Sequence, residues 1–203
     1  MHLIPTQEEV VAILRETGAL RDGHFEYPSG LHSNEYLQVP LAMRYYKYQK
    51  MLSVGLSRLL RANPEIRATI KDLSIVTPMT GGLPVAYGVT EALGAKQVYW
   101  AERENGEPLH FRQYLEQHQG EQVVLVDDIL RTGRKLRELK KLLESHGATV
   151  VGLAVIIYQP NPDIFDFGNL PLYYLAKLEA SYYADAQQCE LCRQGVPLEK
   201  VWV

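Results

Sequence analysis

The stretch from Val123 to Gly133 constrains the fold more than any other part of the chain. It reads Val-Val-Leu-Val-Asp-Asp-Ile-Leu-Arg-Thr-Gly, so four apolar residues lead directly to two adjacent acids and a Thr-Gly turn. A short continuous apolar run is typical of a strand buried on both faces of a parallel sheet. A charged amphipathic pattern from Arg134 to about His146, closed by Gly147, predicts a helix. The segment is therefore a buried strand that delivers two carboxylates to the start of a helix.

Strands and helices alternate along the neighbouring sequence. An apolar helical stripe at 85–93 predicts a second helix. This alternation predicts a parallel sheet with helices on both faces, which binds its ligands beyond the carboxyl ends of the strands. The glycine-containing turns at 80–82 and 131–133 both fall at that edge. Further strands are predicted at the apolar runs 73–76, 97–101 and 150–158.

The N-terminal segment has a different pattern, with one helix followed by two short strands. Thr6 and Glu9 have the spacing of a capping box, which predicts a helix start. We expect Gly23 to turn the chain after this helix. Strands are predicted at 24–27 and 35–39, on either side of a Pro-Ser-Gly turn. A longer helix is predicted over the apolar stripe at 48–60.

Composition and charge narrow the class of protein. A chain of 203 residues suits one domain with an appendage, and 46% hydrophobic with 22% charged residues is typical of a soluble globular protein. The net charge of -3 argues against a broad nucleic-acid-binding surface. No apolar run approaches the about 20 residues of a membrane-spanning helix, and residues 1–9 lack a signal-peptide pattern. Two cysteines cannot form a disulfide framework. We therefore expect a cytoplasmic protein without nucleic-acid or membrane partners.

The turn that follows the two acids has the chemistry of a sugar-phosphate site. Successive backbone N–H groups in such a turn form an anion cradle, and the positive end of the helix dipole reinforces it. Adjacent carboxylates suit sugar hydroxyl groups or a hydrated cation. The alternative is a surface turn in which Asp128 only caps the helix.

The stretch at 123–133 also resembles the phosphoribosyl pyrophosphate (PRPP) motif of the type I phosphoribosyltransferases, and resemblance to the orotate phosphoribosyltransferases extends over nearly the whole chain. The resemblance implies an α/β fold of the type I phosphoribosyltransferase kind, with a central, mainly parallel sheet flanked by helices and a small N-terminal hood. We divide the chain into an N-terminal helix and hood segment at 1–40 and an α/β core with a C-terminal tail at 41–203. The resemblance rests on five segments in the family's order: Gly23–Phe25 with Ser29–Ser33 and Tyr36, Thr77–Gly82, Ala101–Glu104, Asp127–Gly133 and Cys189–Leu198.

The resemblance further implies an activity and a set of site residues. Orotate displaces pyrophosphate from C1 of PRPP to give orotidine monophosphate, a step of pyrimidine biosynthesis, with Mg²⁺ as cofactor and a homodimer as the assembly. Asp127 and Asp128 then hold the ribose hydroxyls and are candidate metal ligands, and Arg103 is the third catalytic candidate. The remaining candidates are the phosphate loop (Ile129, Leu130, Arg131, Thr132, Gly133, Arg134, Lys135), the pyrophosphate loop (Thr80, Gly81, Gly82), the base site (Ser29, Gly30, His32, Arg131, Gln159) and the mobile loop (Glu104, His110, Arg112).

Several residues depart from the family's pattern. Arg131 replaces a Thr or Ser of the phosphate loop, and Arg134 and Lys135 replace two small residues. These cations either strengthen phosphate binding or crowd the cradle. The family's arginine for the carboxylate of orotate corresponds to Gln159, so Arg131 is a candidate for a relocated carboxylate partner.

The stretch that matches the mobile catalytic loop is poor in cations. Between Glu102 and Gln119 it contains no lysine, and its cationic or titratable side chains are Arg103, His110, Arg112 and His118. The two histidines are interpreted first as solvated loop residues. The departures leave two alternatives open, a phosphoribosyltransferase for a different base and a non-catalytic protein that binds PRPP or a nucleotide.

The C-terminal pair Cys189 and Cys192 has the spacing of half a zinc site. Because the chain has no other cysteine, the favoured interpretation is a tail turn typical of the family, unless a dimer pairs two halves.

Overall fold

A computed structural model describes residues 3–104, 106–112 and 119–201 of the chain. The helices are α1 Gln7–Glu16, α2 Pro40–Met43, α3 Tyr46–Ala62, α4 Pro64–Thr69, α5 Leu83–Leu93, α6 Arg134–Ser145 and α7 Glu190–Arg193. The strands are β1 Leu20–Glu26, β2 His32–Leu37, β3 Ser74–Pro78, β4 Gln97–Ala101, β5 Gln122–Leu130, β6 Thr149–Tyr158, β7 Leu172–Lys177, β8 Tyr182–Tyr183 and β9 Glu199–Lys200. In the described ranges, no helix is both long and apolar enough to cross a membrane.

The central sheet has five strands in the order β4-β3-β5-β6-β7, and all of its pairings are parallel. This confirms the predicted α/β fold. The apolar run at the start of β5 is explained by burial on both faces. Val124 and Val126 join the core formed with α3 and α5, whereas Val123 and Leu125 join the core formed with α6. The amphipathic helix α6 buries Leu136, Leu139 and Leu143 on that second face.

A smaller sheet in the order β8-β2-β1-β9 forms the hood beside the central sheet. β1 and β2 are antiparallel, and the C-terminal tail adds β8 next to β2 and β9 parallel to β1. The hood sheet therefore contains strands from both ends of the chain. The division at residues 40 and 41 stays a prediction.

Two expectations for the N-terminal segment need correction or adjustment. Gly23 does not turn the chain, because it lies inside β1, where the pairing with β2 shifts register between Asp22 and Phe25. The strands also begin earlier than predicted, at Leu20 and His32. The capping box is confirmed, since the hydroxyl of Thr6 accepts the N–H of Glu9 and the carboxylate of Glu9 accepts the N–H of Thr6.

Candidate active site

The two acids lie near the carboxyl end of β5, as the sequence predicts. Asp127 is 8% exposed, and its Oδ1 accepts the backbone N–H of Asp128 at 2.9 Å. Burial, followed by the neighbouring charge of Asp128, raises the pKa of Asp127 well above its ordinary value of 3.8. Burial also raises the pKa of Asp128, and the positive charge of Lys135 opposes the rise at both groups. An acid pair that is costly to ionise is suited to bind hydroxyl groups or a cation.

The turn after β3 packs directly against the acid pair. A Cβ atom on Gly81 would lie 2.8 Å from Oδ2 of Asp128, and one on Gly82 would lie 2.8 Å from Oδ1 of Asp127. A larger residue at either position would have to displace a carboxylate of the acid pair, because real Cβ atoms do not approach other atoms so closely. Thr80 precedes them with an exposed side chain. The predicted pyrophosphate loop and the two acids thus form one edge of the site.

The predicted phosphate loop connects β5 to α6 and lines a cavity of about 170 Å³. Gly133 adopts a φ of 73° and lies against the ring of Phe167, two conditions that favour glycine. The first turn of α6 carries no acidic residue, so the positive end of its dipole is not neutralised there. The N–H of Arg134 lies 3.3 Å from the hydroxyl of Thr132. The side chains of Arg134 and Lys135 are exposed, and both residues line the cavity.

Arg131 leaves the phosphate loop and reaches the hood. Its Nε donates to Oε1 of Gln159 at 2.9 Å, and its Nη2 donates to the carbonyl of Leu37 at 3.0 Å. The guanidinium carbon lies 5.7 Å from the ring centroid of Tyr27. Within the described part of the chain, no hydrogen bond is made by Nη1. The cation is therefore held between Gln159 and the hood.

Gln159 organises this side of the site. It is 1% exposed, and its Oε1 also accepts the hydroxyl of Tyr182 at 2.9 Å. Its Nε2 lies 3.4 Å from Oε2 of Glu35, whose pKa is raised, mainly by burial. Sequence reasoning missed Glu35 and Tyr182 because they come from β2 and β8, far from Gln159 along the chain. In the sequence, two adjacent tyrosines at 182–183 are the one local feature that draws attention to Tyr182.

The other predicted base-site residues lie elsewhere in the hood. Ser29 and Gly30 are in the turn between β1 and β2, where the N–H of Gly30 donates to the carbonyl of Tyr27 at 2.8 Å. His32 is 4% exposed, and its Nδ1 lies 3.0 Å from Nε2 of His24. The structure thus places the ring of His32 next to His24, and a contact with the base stays a prediction.

The start of the predicted mobile loop folds back on itself. The backbones of Glu102 and His110 pair, and Arg112 forms an ion pair with Glu102 that lowers the pKa of this carboxyl. Arg112 also lies 3.8 Å from Glu104. Arg103 forms an ion pair with Glu138 of α6 and donates to the carbonyl of Glu107 at 2.8 Å. In this arrangement Arg103 is bound to α6, and its catalytic role stays a prediction. His118 lies outside the described residues.

Comparisons with known proteins agree with this geometry. Residues 58–166 match the family described as Phosphoribosyl transferase domain. The chain is 34% identical to the orotate phosphoribosyltransferase of Pelotomaculum thermopropionicum, over 96% of both chains. It is 36% identical to that of Thermotoga petrophila, over 93% of this chain and 94% of the relative.

Solved structures share the fold at lower sequence identity. The orotate phosphoribosyltransferase of Aeropyrum pernix superposes with a TM-score of 0.65 at 21% identity, over 83% of this chain and 93% of the other. A Mycobacterium tuberculosis orotate phosphoribosyltransferase gives a TM-score of 0.63 at 19% identity, over 85% and 95% of the two chains. Because the sequence relatives match the chain over nearly its whole length, it belongs to the phosphoribosyl transferase domain family and, within it, to the orotate phosphoribosyltransferases.

Proposed function

We propose that this protein transfers the ribose 5-phosphate group of PRPP to orotate, giving orotidine monophosphate and pyrophosphate. The observation that carries the proposal is the close packing of three sites that match the three parts of PRPP. A buried acid pair suits the ribose hydroxyls, a glycine turn in contact with it suits the pyrophosphate, and a helix N-terminus beside it suits the 5′-phosphate. The activity of the relatives in the same family supports the same reaction.

In this reaction the protein contributes positioning and charge rather than a nucleophile. Asp127 and Asp128 accept hydrogen bonds from the ribose hydroxyls and hold the sugar while positive charge develops at C1. The backbone N–H groups from Arg131 to Lys135 bind the 5′-phosphate, and Thr80 with the two glycines after it lines the pyrophosphate. Arg103, released from Glu138, is the candidate cation for the leaving group.

Mg²⁺ is the proposed cofactor, and the acid pair fits it because buried adjacent carboxylates favour a hydrated divalent cation. When bound, Mg²⁺ neutralises charge on the pyrophosphate. Asp127 and Asp128 would hold it, together with the ribose hydroxyls.

Arg131 is the proposed partner of the carboxylate of orotate. Gln159 and the Leu37 carbonyl hold its guanidinium through Nε and Nη2, which leaves the Nη1 edge for a ligand. A guanidinium fixed in this way binds a carboxylate strongly because little side-chain freedom is lost on binding. The substitution of Gln for the family's arginine at 159 is then compensated by a cation 28 positions earlier.

The proposed function is tested by following orotate consumption with PRPP and Mg²⁺. We expect turnover that decreases at least about 100-fold in Asp128→Asn, because charge at the ribose is lost. Asp72→Asn, which changes an exposed acid in the turn before β3, is the matched control and is expected to keep full activity. PRPP that raises the melting temperature without turnover of any base would instead favour the non-catalytic alternative.

A different base is the second candidate, favoured by the neighbourhood of Gln159. The half-buried carboxyl of Glu35 beside the Gln159 amide offers an acceptor that orotate, an anion, does not need. Pyrophosphate release with a panel of purine and pyrimidine bases separates the two candidates. Release with orotate alone supports the first, and release with another base but not orotate supports the second.

The assembly proposed from the family is a homodimer in the cytoplasm. Exposed tyrosines support a subunit interface, since Tyr46 is 74% and Tyr87 51% exposed and such rings are enriched where subunits meet. Sedimentation equilibrium measures the mass, and a monomer at micromolar concentration would contradict the dimer.

A further inference from the structure

Four side chains with metal-binding atoms meet in the hood, away from the residues that line the phosphate cradle. His24 of β1, His32 of β2, and Cys189 and Cys192 around the start of α7 each direct one nitrogen or sulfur into the group. All four atoms lie within 4.8 Å of one another. We call these four residues the Cys2His2 cluster. Its members come from both ends of the chain and are separated by up to 168 positions.

Four of the six distances in the Cys2His2 cluster are close to the edges of a small tetrahedron, and the other two are at most 4.8 Å. The sulfur of Cys189 lies 3.4 Å from Nε2 of His24, and the sulfur of Cys192 lies 3.6 Å from the same atom and 3.5 Å from Nδ1 of His32. Zinc bonds of about 2.0–2.1 Å to nitrogen and about 2.3 Å to sulfur place tetrahedral N and S ligands about 3.5 Å apart. The two histidine nitrogens lie 3.0 Å apart, close to the about 3.3 Å of the same geometry.

The surroundings orient His24 as a ligand. Its Nδ1 lies 2.9 Å from the carbonyl of Val196, which can only accept, so Nδ1 carries the proton and Nε2 presents its lone pair to the cluster. A backbone carbonyl that fixes the tautomer in this way is a usual partner of metal-bound histidine. His24, His32 and Cys189 are at most 4% exposed, and Cys192 is partly buried. The site is therefore closed, as structural zinc sites are.

We propose that the Cys2His2 cluster binds one structural Zn²⁺ ion. On binding, Zn²⁺ forms four bonds, two to thiolate sulfurs and two to neutral imidazole nitrogens, and the two thiols release two protons to solvent. No redox step is involved. With four protein ligands no coordination position stays open for a substrate, so the role of the metal is to hold structure.

The structural role follows from where the ligands lie. The zinc would join the β1–β2 hairpin to the C-terminal tail, just before β9 pairs with β1 at Phe25 and Glu26. In the part of the chain that the structure describes, four paired positions hold the tail to the sheet through β8 and β9, so these strands alone give weak attachment. A metal at the cluster would fasten the tail and complete the hood.

The proposal is tested on the purified full-length protein, kept reduced and dialysed after incubation with excess zinc. We expect about one zinc per chain by inductively coupled plasma mass spectrometry. The occupancy of Cys189→Ser/Cys192→Ser is expected to fall at least about tenfold at limiting zinc. His146→Gln, which changes a partly buried histidine at the end of α6, is the matched control and keeps its zinc. His32→Cys is expected to retain zinc as a three-cysteine, one-histidine set, whereas His32→Ala loses it.

Cobalt provides a readout on the unaltered chain, which decides the question even where the variants fail to fold. Co²⁺ added to the metal-free protein is expected to give the intense visible bands of tetrahedral coordination together with thiolate-to-cobalt charge transfer.

The tail is expected to resist trypsin at Arg193 with zinc and to be cleaved after chelation. A reduced wild-type protein that binds neither zinc nor cobalt, or a double cysteine variant that keeps its zinc, would overturn the proposal. Because zinc content is measured without substrate, this outcome is independent of phosphoribosyl transfer.

Discussion

Asp127 and Asp128 are held where burial opposes their ionisation, and at Asp127 the neighbouring charge of Asp128 adds to the effect. A residue of this kind serves ligand binding at the expense of stability, because the folded chain would be more stable with a neutral group at this position. We expect a ligand of this pair to supply hydroxyl protons or positive charge, either of which favours the ionised acids. This is the physical reason why two adjacent acids at the end of a buried strand indicate function.

We expect Asp127→Asn to raise the stability of the ligand-free protein above about pH 4. The native pKa of Asp127 is raised above 3.8, so the unfolded chain loses this proton first and the unfolding free energy falls as the pH increases through the native pKa. Asn keeps the acceptor for the N–H of Asp128 and removes the charge. A gain on the order of 1 kcal/mol corresponds to about 2–4 °C in melting temperature for a chain of this size.

This prediction is measured by thermal unfolding between about pH 4 and pH 8 without Mg²⁺ or PRPP. The difference between variant and wild type should be small at the acid end and grow with pH. A variant that is less stable than wild type at neutral pH would contradict the direction of the pKa shift.

Arg131 is expected to affect the binding of orotate more than the binding of PRPP. Arg131→Ala should raise the KM for orotate about 10- to 100-fold, the factor for losing a charged hydrogen bond of about 1.5–3 kcal/mol. The KM for PRPP should change less, because the phosphate loop uses the backbone of this residue. Arg67→Ala, an exposed arginine in α4, is the control in steady-state kinetics. An equal change in both KM values would show that Arg131 supports the loop and not the base.

At the scale of elements, local patterns predict the helices and strands of the core well. The apolar run of β5 and the leucine stripe of α6 reflect burial on the two faces of one sheet, so the sequence pattern and the packing have the same cause. Gly23 shows where such inference fails. Its place in β1 depends on the pairing with β2, in which Asp22 lies opposite Glu35, and the residues around Gly23 carry no sign of that pairing.

The turn between β3 and α5 should be intolerant of a methyl group. In Gly82→Ala the new Cβ would lie 2.0 Å from Oγ1 of Thr77 and 3.2 Å from the Cα of Asp127, so side chain and backbone must both move. We expect a cost of about 1–3 kcal/mol, and a larger loss of kcat/KM because the acid pair is displaced. Gly152→Ala in β6 is the control, since its Cβ would meet atoms only at 3.4 Å or beyond. Thermal unfolding and kinetics on the same samples check both effects, and an unchanged kcat/KM in Gly82→Ala would contradict the proposed contact.

At the scale of the whole molecule, the hood depends on contacts between the two ends of the chain. The Cys2His2 cluster could not be predicted, because His24 and Cys189 are 165 positions apart and a single Cys-x-x-Cys pair more often has another explanation. The network of Arg131, Gln159, Glu35 and Tyr182 is non-local in the same way. Sequence motifs predicted the acid pair and the two glycine turns that meet at one edge of the central sheet, whereas the contacts around Gln159 required the fold.

The tail should contribute to stability through Val201, which is 6% exposed and packs with Phe25, Tyr27 and Tyr36. We expect Val201→Ala to lower the unfolding free energy by about 1–3 kcal/mol. Leu198→Ala lies on the same tail at 42% exposure and should have a smaller effect. Denaturant unfolding compares the two variants. Equal effects would mean that Val201 does not pack against Phe25, Tyr27 and Tyr36.

The reaction assigned to this chain joins orotate to the ribose phosphate of PRPP. The most direct measurement is to incubate the protein with Mg²⁺, PRPP and orotate and to quantify both products by chromatography and mass spectrometry. We expect orotidine monophosphate, inverted to the β configuration at C1, and pyrophosphate in equal amounts. Pyrophosphate release that does not depend on orotate, or no product from a protein that binds PRPP, would contradict transfer to orotate.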